Sequence, residues 1–301
     1  MKIGLDIMGG DYAPHSTLHG ALLASKQLST DEKIVLIGDS NVAKEILQQN
    51  NAELSLFEFI HADDQIAMNE HATKAIRKKP NNSISVGFEA LKNGEIDVFS
   101  SAGNSGAMLV GSMFSVGPIK GVIRPCITSV LPKENGSVGL ILDVGVNADC
   151  KPDVLFQFAI LGSLFAENVY GLKNPKVGLL NIGEEKGKGN LLTQAAFQLL
   201  EDNDDINFIG NVEGRDLFNE KADVIVCDGF TGNVVLKQAE SFFTILAKRN
   251  LLDNYFKRFN YENYGGTPVL GVSGNVLIGH GISNDKALSL IHISEPTRLR
   301  R

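Results

Sequence analysis

Apolar positions in this chain follow two alternating rhythms. Lys2–Met8, Lys33–Ile37 and Leu54–Ile60 are short apolar runs closed by turn residues, the pattern of strands covered on both faces. Between and after them, His15–Leu28, Asn41–Gln49, Glu70–Lys79 and Ser83–Lys92 read as helices, with Pro80 and Gly94 as stop signals. Ile96–Phe99 is a further strand, and Asn104 opens a helix that runs to Phe114. This β-then-α order predicts a mostly parallel sheet with right-handed crossovers.

Beyond Phe114 the order changes. Pro125–Leu131 and Ser137–Asp143 are strands separated by a P-K-E-N-G turn, so they should pair antiparallel. Pro152–Tyr170 is a long apolar helix with proline in its first turn. Lys176–Leu180, Asn207–Ile209 and Val224–Cys227 read as strands, and Asn190–Leu200 and Asn233–Leu251 as helices. Thr267–Ile278 holds two short strands around Gly274. No internal repeat and no flexible linker interrupts the chain. The expected architecture is a three-layer α/β fold: residues 1–287 form one domain of two lobes sharing a sheet, with a boundary near residue 115.

Composition narrows the function. The chain has 301 residues, 43% hydrophobic and 21% charged, enough to bury a large core and too apolar for a disordered chain. A net charge of −7 argues against nucleic acid as the main partner. The three cysteines, Cys126, Cys150 and Cys227, are widely spaced and form no disulfide or zinc pattern, which fits a reducing cytoplasm. The N-terminal strand carries Asp6 and lacks the apolar core of a signal peptide. The longest apolar stretch, Val154–Ala166, contains Gln157 and is shorter than the ~20 residues that span a bilayer.

Five strand ends each deliver glycine and a polar group to what should be one rim, where open parallel sheets bind ligands. The first is D-I-M-G-G-D, with Asp6, Gly9, Gly10 and Asp11. The second is S-S-A-G-N-S-G, with Ser101, Gly103, Asn104 and Gly106. The third, D-V-G-V-N, carries Asp143 and Asn147. The fourth, N-I-G-E-E-K-G-K-G-N, holds Glu184, Lys186 and Lys188 among three glycines, an arrangement suited to a small tetrahedral anion. The fifth, D-G-F-T-G-N, contributes Asp228, Gly229 and Asn233. Asn233 is placed at a helix N-terminus, where its amide either caps or polarises a carbonyl. Asp228 either orients a lysine, acts as a base, or caps its turn. His280, between Gly279 and Gly281, either lines the site or is structural. No dinucleotide, P-loop or serine-elbow motif is present, and the histidines show no metal-ligand spacing.

Taken together, K-I-G-L-D-I-M-G-G-D, S-S-A-G-N-S-G-A, L-D-V-G-V-N, L-N-I-G-E-E-K-G-K-G, C-D-G-F-T-G-N-V-V-L-K and G-H-G-I-S-N resemble the bacterial phosphate acyltransferase family, in family order from Lys2 to about Ala287. Tyr264–Leu270 is a looser match. The resemblance implies a fold like isocitrate and isopropylmalate dehydrogenases and phosphotransacetylases, a homodimer, and no cofactor. It also implies transfer of an acyl group from acyl carrier protein to inorganic phosphate. The acyl phosphate would then serve a membrane-bound acyltransferase acting on glycerol 3-phosphate in phospholipid synthesis.

On this reading Lys186, with Lys188 nearby, holds phosphate. Asn233, Ser101, Asn104 and the N–H groups of Gly103 and Gly106 stabilise the thioester oxyanion, and phosphate attacks directly. The other expected binding positions are Asp6, Gly9, Gly10, Asp11, Asp143, Asn147, Glu184, Gly229 and His280. Rival readings are a phosphotransacetylase-like enzyme using acyl-CoA and a non-catalytic membrane-associated scaffold. Residues 242–259 interleave aromatic and basic side chains, as a segment touching an anionic membrane would. Residues 288–301, with Pro296, depart from the family and read as a foreign tail.

Overall fold

A computed structural model of the protein describes residues 1–292; the rest of the tail singled out above, from residue 293, lies outside the described residues. The chain begins β1 (Lys2–Asp6), α1 (His15–Ser25), β2 (Lys33–Gly38), α2 (Ser40–Gln49), β3 (Phe57–His61), α3 (Ala72–Lys78), α4 (Ser83–Lys92), β4 (Val98–Ser101) and α5 (Ser105–Gly111). It continues through β5 (Cys126–Pro132), β6 (Val138–Leu142), α6 (Pro152–Tyr170), β7 (Lys176–Leu180), α7 (Leu191–Glu201), β8 (Asn207–Val212), β9 (Val224–Val226) and α8 (Gly229–Lys248). β10 (Thr267–Leu270), β11 (Asn275–Ile278) and the short α9 (Asp285–Leu288) follow. The protein has the α/β fold that the alternation predicts.

Two compact units are present. The first is Met1–Lys120 with the segment from Tyr261 onward, and the second is Gly121–Asn260. In the first, β3, β2, β1, β4 and β11 lie side by side and parallel, and β10 adds an antiparallel strand. Alternation along β1 sorts its faces. Ile3 and Leu5 join Leu18, Ala21, Ile34, Leu36, Ile46 and Leu47 in a core beneath α1 and α2. Gly4, registered against Phe99, turns to the other face, where the Phe88 ring of α4 meets Phe99 edge-on at 5.1 Å.

In the second unit, β6, β9, β7 and β8 are parallel and β5 pairs antiparallel with β6, as the P-K-E-N-G turn predicts. Val154, Leu155, Phe158 and Ala159 of α6 are fully or almost fully buried. Most long helices in both units start on a side-chain cap. Asp39, Asn82, Asn190 and Asp228 accept from the first-turn N–H groups of α2, α4, α7 and α8.

Candidate active site

In the first unit, Asp6 ends β1 and lies beside Ser101, the last residue of β4. The Ser101 hydroxyl donates to Asp6 Oδ2 at 2.6 Å and accepts from the Gly103 N–H at 3.0 Å. The Met8 N–H donates to Asp6 Oδ1 at 2.9 Å. Both side chains are fully buried. Burial lifts the Asp6 carboxyl above the ordinary carboxylate range, and bonds from Ser101, Ser83, Met8 and Gly9 recover part of that shift. Gly9 is required sterically: a Cβ there would stand 2.6 Å from Asp6 Oδ2 and from the Gly103 nitrogen. The Asp11 N–H donates to the Gly281 carbonyl at 2.8 Å, joining the first loop, beyond Gly10, to the chain after His280. His280 itself faces the Tyr261 ring at 5.4 Å.

Asn104 caps α5 through the Ala107 N–H. Its amide nitrogen donates to the carbonyls of Ala67, Met68 and Glu70 at 3.1, 3.2 and 2.9 Å. Three expectations change here. Ser101 has spent its one proton on Asp6, Gly103 has spent its N–H on Ser101, and Asn104 has spent its amide on three carbonyls. In this structure these groups organise the turn and are not open to an oxyanion. The Gly106 N–H, by contrast, has no acceptor among the described residues.

In the second unit, Asp143 follows β6 and is also fully buried. It accepts from the Ile127 N–H at 3.0 Å and from the Asn147 N–H and side-chain amide at 2.6 and 2.9 Å. Burial pushes this carboxyl up as well, against the pull of those bonds and that of the Val144 N–H. Asn147 also donates to the Pro125 carbonyl, and its own carbonyl receives the Gly229 N–H at 2.7 Å. Asp143 and Asn147 therefore tie the exits of β6 and β9 together and expose no anion-binding group.

α8 begins at Gly229, four residues earlier than the pattern suggests, because Asp228 is its cap. One Asp228 oxygen accepts from the Thr231 N–H at 2.8 Å and the other from the Thr231 hydroxyl at 2.9 Å. Each oxygen thus accepts one bond from Thr231, and in this structure Asp228 caps the helix. Asn233 sits inside the helix instead of at its terminus, and its amide nitrogen donates to the Val144 carbonyl at 3.2 Å. One of its two amide hydrogens is thereby engaged within the fold.

The loop after β7 is pinned by side chains that sequence reasoning passed over. Asn181 donates to the Lys188 carbonyl and to Asn211, each at 3.1 Å, and Asn211 donates to the Glu185 carbonyl at 3.0 Å. Gln194 reaches back to the carbonyls of Gly187 and Gly189 at 3.1 and 3.0 Å. A run of amides facing a glycine-rich loop was the available signal.

Lys186 pairs with Glu201 and lies 5.9 Å above the Phe197 ring. Glu184 pairs with Lys221, which also holds Asp216. The carboxylates of Glu184, Glu213 and Asp216 come within 4.8 Å of one another, and each is in an ion pair, Glu184 and Asp216 with Lys221 and Glu213 with Arg215. Lys188 differs. It is exposed, and its ammonium has no hydrogen bond or ion pair among the described residues. The cation left free by this loop is Lys188, not Lys186.

The thiols are silent. Cys126 and Cys227 are buried and raised far above the ordinary thiol value, and burial with the charges of Asp143 and Asp228 pushes Cys150 to about 12.

A family model described as "Fatty acid synthesis protein" matches residues 1–256. The chain is 43% identical to the phosphate acyltransferase of Dictyoglomus turgidum, over 96% of this chain and 91% of that relative. It is 44% identical to that of Desulforamulus reducens, over 96% of this chain and 90% of the other. The chain belongs to the phosphate acyltransferase family. It is an acyltransferase.

Among solved structures, this phosphate acyltransferase family member is similar to a phosphotransacetylase from Streptococcus pyogenes, with a TM-score of 0.67 at 14% identity, covering 99% of this chain and 94% of that one. A branched-chain phosphotransacylase from Enterococcus faecalis gives a TM-score of 0.66 at 13% identity, covering 100% and 99%. At such identities the likeness speaks for the fold, and it agrees with the expected phosphotransacetylase-like α/β class.

Proposed function

We propose that this protein transfers a fatty acyl group from the thioester of acyl carrier protein to inorganic phosphate, and that the acyl phosphate feeds phosphatidic acid synthesis. The observation that carries this reading is the unpaired Lys188 ammonium, standing on a glycine-rich loop at the exit of a parallel strand in a member of the phosphate acyltransferase family. Lys188 holds the phosphate dianion, with the four amide contacts of Asn181, Asn211 and Gln194 fixing the loop around it. The Phe230 N–H, at the start of the twenty-residue α8 on the neighbouring strand exit, has no acceptor among the described residues. It is the donor for the thioester oxyanion, aided by the positive end of the helix.

A phosphate oxygen attacks the carbonyl carbon, and the C–S bond breaks as the carbonyl re-forms. The thiolate leaves and, through solvent, takes up the proton that hydrogen phosphate loses on becoming the acyl phosphate. Phosphate is already nucleophilic at neutral pH, so positioning does most of the work, and the thiols, two of them buried and all three raised, do not offer an acyl-enzyme route.

The protein acts as a homodimer in the cytoplasm and touches the membrane peripherally. No described helix is long and apolar enough to cross a membrane. Phe242, Ile245, Leu246 and Phe256 line an apolar concavity of about 270 Å³, and the exposed Lys248 and Arg249 lie in the same segment. This arrangement suits an anionic lipid surface next to the membrane acyltransferase that consumes the product. The test is to trap the product with hydroxylamine. Above the direct reaction of hydroxylamine with the thioester, the enzyme-dependent formation of acyl hydroxamate from acyl carrier protein thioester should require phosphate, and it should be faster than from acyl-CoA. Equal or better use of acyl-CoA would remove the carrier protein from the account.

A further inference from the structure

Two large apolar side chains stand in solvent beside the phosphate loop. Ile182 is 82% exposed and Phe230 is 67% exposed. They emerge from neighbouring strands: β7 and β9 are parallel with Leu179 opposite Val226, so Ile182 lies three residues beyond that pair and Phe230 four. Paired strands run about 4.8 Å apart, so both side chains belong to one edge of the second unit. Neither rides on a loose backbone. The Ile182 N–H is held by the Asn181 side chain at 2.9 Å, and Phe230 sits in the capped first turn of α8. The Lys188 side chain passes Gly183, the residue after Ile182, where an added Cβ would lie 3.0 Å from Lys188 Cγ, and Leu191, three positions further along the chain, is 86% exposed. Rigid apolar groups left in water beside one free cation complement a ligand that joins an anionic head to an apolar tail. An acyl phosphate is such a molecule.

We infer that Ile182 and Phe230 form an apolar lip that receives the acyl chain next to its carbonyl, so that this edge favours long chains over short ones. The inference rests on the proposed function and adds the residues that read the chain. Removing one apolar contact of this size from a bound chain should cost about tenfold in kcat/KM.

The experiment uses the full-length protein and acyl carrier protein loaded with palmitoyl or butyryl groups, followed by phosphate-dependent loss of the thioester. Ile182→Asn and Phe230→Ser should each lower the palmitoyl-to-butyryl ratio of kcat/KM roughly tenfold, with the KM for phosphate moving less than twofold. Ile182→Leu should restore the ratio. The same drop with palmitoyl- and butyryl-CoA supports the assignment, because the chain is common to both donors. An unchanged ratio overturns it. So does an equal loss on both chain lengths confined to carrier-protein donors, which would make the lip a carrier-docking surface. A fall in oligomeric state with an unchanged ratio would make it a contact between copies. If the parent protein consumes no thioester with phosphate, the proposed function fails first and this inference with it. If the parent is active and the ratio holds, only the lip is wrong.

Discussion

Ser101 gives its one hydroxyl proton to Asp6 across 2.6 Å, and its oxygen then holds the Gly103 N–H. The bond spans 95 residues of sequence and welds the exits of β1 and β4. Ser101→Ala leaves a buried carboxyl one donor short and frees a buried N–H. It should lower stability by about 1–3 kcal/mol, read from denaturant midpoints at constant m-value. The Asp6 carboxyl, having lost a bond that favours its charged form, should rise further.

Gly232 is the tightest backbone contact in the second unit. A Cβ there would lie 1.9 Å from the Asp143 carbonyl oxygen, a backbone atom with no freedom to swing aside. Gly232→Ala should therefore cost about 3 kcal/mol or more, at the upper end of overpacking effects. Calorimetry should show a lowered Tm or no cooperative transition. A Tm within a degree or two of the parent would mean that the β6 and β9 exits are less closely packed than described.

Lys133 is 3% exposed and pairs with Asp223, 25% exposed, at 2.7 Å. Burial raises the Asp223 carboxyl, but the bond from Lys133, the Lys176 N–H and both positive charges outweigh it and leave it below its ordinary 3.8. A depressed folded value means that this contribution to stability is complete above the unfolded value and fades as pH falls through the folded one. Asp223→Asn strands a buried ammonium and should cost about 3–5 kcal/mol near neutral pH, with a shallower loss of stability in acid. Asp6 and Asp143 act in the opposite sense. Their raised values give a contribution that is full below pH 3.8 and lost as pH rises through them.

The two lysines of the phosphate loop should separate kinetically. Lys188→Met removes the unpaired cation and should raise the KM for phosphate about tenfold or more, the scale of one charged hydrogen bond. Lys186→Met breaks an exposed pair with Glu201 and should change it less than threefold.

Much of the fold was legible because strand and helix rhythms repeat cleanly. α6 spans Pro152–Tyr170 as its proline start signal indicates, and β5 and β6 pair antiparallel across their turn. The start of α8 was misplaced at Asn233, since Asp228 and Asn233 are both good caps and only tertiary contact chooses between them. Site chemistry was harder to read. A sequence shows that Ser101, Asn104 and Asp228 carry polar groups, but not that Asp6, three loop carbonyls and Thr231 already occupy them. Lys186 and Lys188 are indistinguishable in sequence until Glu201, fifteen positions on, is seen to take one of them.

The central claim is met most directly by following loss of the acyl carrier protein thioester as phosphate is titrated, for the parent and for Lys188→Met. The account predicts no turnover without phosphate, saturation with it in the parent, and a curve displaced to about tenfold higher phosphate in the variant. Thioester loss that proceeds equally well without phosphate, or a Lys188→Met curve that overlays the parent, would contradict it.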